Sequence, residues 1–410
     1  MPENDRSGAD ADVPSAAGRG LDWLNLFVAN IQTGFGPFIA VYLTTAGWTQ
    51  TGIGAALSLG TIAAMASQIP AGALVDAAPS KHWIAAFSVL TFTASALLLA
   101  AWPIPLSVYL AEILHGFSSC TLGPAIAAMS LAIAGPHALG VRLGRNARYA
   151  SIGNGIGAAL MGACGYYLSN RSVFFLTAAL TLPALAALLP LARIDRPTAQ
   201  RACTRPASGS RPSLWRILGD RRLLIFAGCA GLFTLGNAAM LPLAGSALTT
   251  RVAGEASLFI AASIVLPQLI VALLSPALGR YAEHRGRRPV LLLGFCMLPL
   301  RGILFALIAD PYIIVLIQIL DGIAAACLGV LVPLVTSDIA GRSGHFNVSL
   351  GGIGFAIGIG ATASTGLAGE IADAFGPSSG FLALSGAGLA ASLLVWSAMP
   401  ETRDASPAAT

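Results

Sequence analysis

Charged residues are scarce in this sequence. Asp, Glu, Lys and Arg make up 10% of its 410 residues, against about 25% in a soluble domain. Too few charges are present to cover a water-exposed surface, which excludes an ordinary soluble enzyme or regulator. Aromatic residues are also few, at 7%. Of six cysteines, Cys120, Cys164, Cys229, Cys296 and Cys327 fall inside apolar runs. Their spacing suits neither a metal site nor a disulfide framework, so they read as small packing residues. HExxH, GxSxG and paired CxxC patterns are absent, as is the P-loop of an ATP-driven pump. The expectation is a protein that is not an enzyme and that uses no metal and no cofactor. A sensor that does not transport would append a cytoplasmic domain, and neither terminus is long enough for one. The first twenty residues lack the basic start and short apolar core of a cleaved signal peptide.

What the chain does contain is apolar length. Hydrophobic residues make up 56% of it, and the mean hydropathy is +0.76. A helical span needs about twenty apolar residues to cross a hydrocarbon core of about 30 Å. Twelve such stretches occur, at 21–44, 51–75, 82–102, 105–133, 148–168, 172–193, 223–246, 255–279, 289–309, 312–335, 347–369 and 379–399. The strands of an outer-membrane barrel alternate over about ten residues, and these runs are longer. An all-α integral membrane protein of twelve transmembrane helices follows.

The basic residues orient it. With both termini in the cytoplasm, 20 of the 23 Lys and Arg lie in cytoplasmic segments; Arg171 and Arg251 fall outside and Arg301 within a span. Moving the count by one helix destroys this asymmetry. The +5 net charge is therefore a topology signal and no sign of nucleic-acid binding. The chain divides into a cytoplasmic tail (1–20), a six-helix half (21–194), a cytoplasmic linker (195–222), a second six-helix half (223–399) and a short cytoplasmic tail (400–410). The linker is rich in Arg, Pro and Ser and suits the anionic inner leaflet.

The halves repeat. Gly72, Asp76 and Lys81 recur as Gly279, Glu283 and Arg288, each 207 residues later. The second copy adds Gly286 and Arg287. The fourth and tenth spans also align without a gap from Glu112 to Gly135 and from Gln318 to Gly341, with eight of 24 residues identical. Repeated halves are the signature of transporter folds, with a substrate site at their interface.

On these residues the chain resembles the major facilitator superfamily over its whole length. The family's loop pattern is Gly-x-Leu-Ala-Asp-Arg-x-Gly-Arg-Lys. The first copy keeps Gly72, Leu74, Asp76 and Lys81 but has Ala77, Pro79 and Ser80 where Arg, Gly and Arg are usual. The second keeps Glu283, Gly286, Arg287 and Arg288. An acid at a helix end can cap the N-terminus of a facing helix. If that contact exists only with the cytoplasmic side closed, it favours the outward-facing state. The departures predict a weaker latch in the first half.

Ionisable groups inside spans are costly and are functional candidates by default. Four stand out: Glu112 and His115 on the fourth span, Arg301 on the ninth and Asp321 on the tenth. Arg301 and Asp321 are each ten residues from Pro311, hence at matching depth of roughly 15 Å, which suits a buried pair. Glu112 and His115 share a helix face at i, i+3 and have no cation nearby on the third span. Burial disfavours the charged form of both, which suits a pair that exchanges protons. The resemblance places the first, fourth, seventh and tenth spans around a central cavity. Its drug exporters carry an Arg at the position of Glu112, which this chain lacks. The Gly-Pro-x-x-Gly-Gly element of its proton antiporters is also absent. Asn25, Asn30, Gln32, Asn237 and Gln318 are amides that can bind substrate or join helices. Glu112, with Asp321 partly offset by Arg301, would make the cavity net acidic and favour neutral or cationic solutes.

The resulting expectation is a monomeric secondary transporter of a small organic molecule in a bacterial inner membrane, with lipid around it and protons as the coupling ion. Efflux is expected, with proton-coupled uptake or facilitation as the alternative.

Overall fold

The computed structural model describes residues 16–35, 37–48, 50–135, 138–193, 217–244, 256–340 and 345–403. The first fifteen residues, most of the linker and the last seven residues lie outside the described residues. The structure is all-helical: α1 (Ala16–Thr33), α2 (Pro37–Thr45), α3 (Gln50–Ala77), α4 (Lys81–Ala101), α5 (Pro105–Ala134), α6 (Leu139–Tyr167) and α7 (Ser172–Leu188), then α8 (Arg221–Asn237), α9 (Ala256–Arg285), α10 (Arg288–Leu307), α11 (Pro311–Ala340), α12 (Phe346–Phe375) and α13 (Pro377–Ala398).

Among the described residues nine helices are long and apolar enough to cross a membrane, namely α3, α4, α5 and α8–α13. The other expected crossings fall on α1 with α2, on α6 and on α7. The stretch 21–44 is two helices rather than one. Pro37 opens the second, a position where its missing N–H costs nothing because the first N–H groups of a helix have no intrahelical partner. Helix α6 begins at Leu139 rather than near 148, so Arg142 and Arg145 are helical. The two repeated motifs are also mostly helical. Gly72–Ala77 end α3 and Gly279–Arg285 end α9, leaving only tight turns before α4 and α10.

Helix α4 shows what solvent the chain is built for. Phe92, Ala96 and Leu99 are buried, while Trp83, Phe87, Leu90 and Leu97 are exposed on the other side. A helix that is apolar all round, with one face outward, suits lipid rather than water.

Packing separates into two cores. Leu21, Phe35, Phe92 and Phe174 belong to one, built from α1–α7. Phe226, Phe295 and Phe381 belong to the other, built from α8–α13 and joined by Leu139 and Leu143 of α6. The halves meet along two seams, α6 against α9 and α3 against α12. Both seams are close because glycine faces backbone. A Cβ on Gly279 would run into the Gly140 carbonyl, and one on Gly72 into the Asn347 carbonyl.

Candidate functional site

At the ends that carry the repeated motif the two seams are closed by matching contacts. The Asp76 carboxylate accepts from the backbone N–H of Asn347 at 3.2 Å and of Val348 at 2.9 Å, and from Asn347 Nδ2 at 2.7 Å. It thereby caps the N-terminus of α12. Glu283 accepts from the Gly140 N–H at 2.5 Å and caps α6. Each motif acid thus holds a helix of the opposite half, where the first turn of N–H groups has no partner of its own.

The side chains of Arg287 and Arg288 bond within their own half. Arg287 is buried and bonds Glu283 at 3.3 Å, Asp338 at 3.1 Å and the Ala282 carbonyl at 2.6 Å. Lys81 Nζ donates to the carbonyls of Val75, Asp76 and Ala78 at the end of α3. The turn before α10 needs Gly286 in the left-handed region, at φ +107°. Glu401 then accepts from the N–H groups of Arg287 at 2.8 Å and Arg288 at 3.0 Å. Burial pushes the Glu401 carboxyl up, but these donors and those of Thr402 and Arg403 hold it below the usual range. Arg288 reaches the Trp396 carbonyl. Three hydrogen bonds cross the seam from Asp76 and one from Glu283, so the first copy is not the weaker tie expected from its missing arginine. The arginine braces its own half.

Above these caps lies a cavity of 540 Å³ lined by both halves. Asn25 and Gln32 are on its wall, together with Gln68, Ser119, Asn146 and Ser151, which sequence reasoning did not single out. Asn30, Asn237, Gln318 and all four ionisable candidates lie outside the lining. Asn30 donates to the Leu26 carbonyl at 2.9 Å, with its Oδ1 buried and unpaired. Beneath the cavity, Asp22 is 2% exposed and pairs with Arg142 and with Arg145, the latter at 2.7 Å. Arg142 Nε and Nη2 also bond Asn146 Oδ1 at 2.9 and 2.7 Å, and Asn146 Nδ2 donates to Ser130 Oγ at 2.6 Å. This network was missed because Asp22 sits at the edge of an apolar run and the arginines counted as cytoplasmic charge.

The buried candidates fall into two groups. Arg301 Nη1 pairs with Asp321 and bonds Asn237 Oδ1 at 2.7 Å, joining α10, α11 and α8. Its guanidinium stands 5.4 Å from the Phe305 ring centroid. Gln318, one turn before Asp321, is fully buried with both amide atoms unpaired. On α5, Glu112 is 3% exposed with Oε1 unpaired and sits over Gly60 of α3, where a Cβ would strike it. His115 stacks on Phe35 at 4.4 Å and meets Phe92 edge-on. Glu112 and His115 share no hydrogen bond.

Comparison with known proteins agrees with this architecture. The family model described as Major Facilitator Superfamily matches residues 23–266 and 246–410. An uncharacterized MFS-type transporter of Mycobacterium tuberculosis, found in strains CDC 1551 and H37Rv, is 35% identical over 403 residues, covering 97% of this chain and 96% of that protein. The human organic anion transporter MFSD10 (TETRAN) superposes with a TM-score of 0.67 at 17% identity, over 93% of this chain and 100% of that one. A mutant of the nucleoside transporter NupG gives 0.64, also at 17% identity, over 93% and 98%. These two structures bear on the fold alone.

Proposed function

The chain belongs to the major facilitator superfamily, and from that premise we propose that it is a twelve-span secondary transporter exporting a small organic solute across a bacterial inner membrane in exchange for protons. The observation that carries alternating access is the pair of caps. Asp76 on α12 and Glu283 on α6 close the cytoplasmic side symmetrically beneath a cavity between the halves. Breaking both caps would let the halves rock and open that cavity to the cytoplasm.

Glu112 is the proposed proton carrier. An ionised carboxylate buried without a partner costs several kcal/mol, so the group holds its proton while enclosed. Water reaching α5 as α3 moves away from Gly116 would let it ionise. Asp321 differs, since Arg301 already balances its charge. Efflux is the proposed direction and a monomer the proposed unit, with proton-coupled uptake as the second reading.

The test is proton flux in proteoliposomes across a panel of solutes, comparing wild type with Glu112→Gln. Counter-movement of protons with solute is expected in wild type and solute movement without protons in the variant. Solute flux in wild type with no proton movement would sink the coupling. Equal coupling in the two proteins would remove only the role of Glu112. A solute gradient that drives protons in the same direction would make it a symporter.

A further inference from the structure

We infer that the cavity takes an electrically neutral solute rich in N–H or O–H donors, an inference that rests on the transport reading above. Among the described residues no Asp, Glu, Lys, Arg or His lines the 540 Å³ space. That volume is within the usual range for drug-sized ligands, about 300–1,000 Å³. Arg142, which bonds the lining residue Asn146, has its charge balanced by Asp22, which also pairs with Arg145.

The polar wall can be read atom by atom. Asn146 uses its Oδ1 on Arg142 and its Nδ2 on Ser130. Asn25 donates its Nδ2 to the Leu21 carbonyl at 2.7 Å, so its Oδ1 remains as an acceptor. Ser119 Oγ donates to the His115 carbonyl at 2.9 Å, which likewise leaves lone pairs. The Gln32 and Gln68 side chains are bonded to no described residue and offer whole amides. The Ser151 hydroxyl and the second amide hydrogens of Asn25 and Asn146 add donors. With two lone pairs on each free oxygen, the open acceptor positions still outnumber the open donor hydrogens, and a solute supplying donors completes them.

An ionic solute meets the opposite situation. It would give up its hydration on entering a largely apolar wall with no counter-charge, a penalty that hydrogen bonds to amides do not offset. Gln68 has a second property. Its amide lies over Gly354 of α12, where a Cβ would collide with it. A solute bound to Gln68 is thus held at the seam between the halves.

The test measures binding to the purified full-length protein for matched triplets, beginning with 4-phenylbutanamide, 4-phenylbutanoate and 4-phenylbutylamine and extending to polyhydroxylated skeletons. The neutral member is expected to bind at least about tenfold tighter than either ion, the equivalent of one uncompensated polar group. Gln68→Leu is expected to weaken it about tenfold, and Gln68→Glu to shift preference to the amine. Gln32→Leu, on the exposed wall of α1, gives the same reading should Gln68 variants fail to fold. Tighter binding of an ion than of its neutral mate, equal binding of all three, no binding by any triplet, or indifference to both glutamines would overturn the inference. Neutral binding without flux in proteoliposomes would sink the transport reading and leave this one standing. Flux of ionic solutes with no neutral preference would do the reverse.

Discussion

Glu112 and Gln318 occupy equivalent positions on α5 and α11, and both are buried with an unpaired polar atom. Their surroundings differ. In the second half a guanidinium from α10 crosses to Asp321, one turn beyond Gln318, and a bonded amide from α8 completes the cluster. In the first half no salt bridge joins Glu112 to a cation among the described residues, and His115 is occupied by two phenyl rings. The same repeat thus yields a braced charge in one half and a single carboxyl in the other. A paired charge holds helices together, whereas an unpaired one responds to its solvent. The motif-bearing ends follow a related division. Arg287 ties Glu283 to Asp338 within the second half, while the aligned positions in the first half are Ser80, Asp76 and Ala132. There Lys81 secures the end of α3 through backbone carbonyls.

The largest expected effect lies at the braced charge. Arg301→Leu leaves Asp321 without its partner, and we expect a loss of about 3 kcal/mol, the low end for breaking a buried pair because Asp321 is partly exposed. Arg301→Leu combined with Asp321→Leu should recover most of it, since two apolar side chains leave no charge unpaired. Thermal melts of the purified proteins check this. A double variant as unstable as the single one would show that the pair is not a self-contained brace.

The caps come next. Asp76→Ala removes three hydrogen bonds across a seam, and Glu283→Ala removes one. At about 0.5–1.5 kcal/mol net per bond, Asp76→Ala should disfavour closure of the motif-bearing ends by about 2 kcal/mol and Glu283→Ala by about 1 kcal/mol. Spin-label distances across the cytoplasmic ends of α3 and α12, and of α6 and α9, measure both populations. Equal shifts, or a larger one from Glu283, would overturn the ordering.

Glu401 should give the smallest effect. Its folded-state carboxyl is held below the usual value, so its contribution is present above the unfolded value of about 4.3 and disappears as pH falls through the folded one. Being exposed, it contributes about 0.5 kcal/mol as a cap after solvent screening. Glu401→Gln should therefore melt slightly below wild type at pH 7, with the gap closing as pH is lowered toward 3. A gap that widened on acidification would contradict the depressed value.

Much of this was legible in the sequence because membranes impose simple rules. Long apolar runs depend only on composition along the chain, and the repeat depends only on residue spacing. The depth match of Arg301 and Asp321 could be read from their shared distance to Pro311, because helix rise is constant. Other features needed the fold. The split at Pro37 was hidden by unbroken hydropathy. Asp22, Arg142 and Asn146 come together only because α1 and α6 pack, and their sequence separation gives no hint of it. The lining of the cavity was also hidden, since apolar residues face lipid, core and cavity alike.

The sequence by itself determined the solvent, the repeat and the polar motif that each half carries, because each is set by residues close together in the chain or at a fixed interval. Only the tertiary structure decided which acid caps which helix, which carboxyl goes unpaired and which amides are free to meet a solute. Those outcomes depend on the rotation and approach of whole helices, which glycine-to-backbone contacts such as Gly140 on Gly279 fix across the two halves.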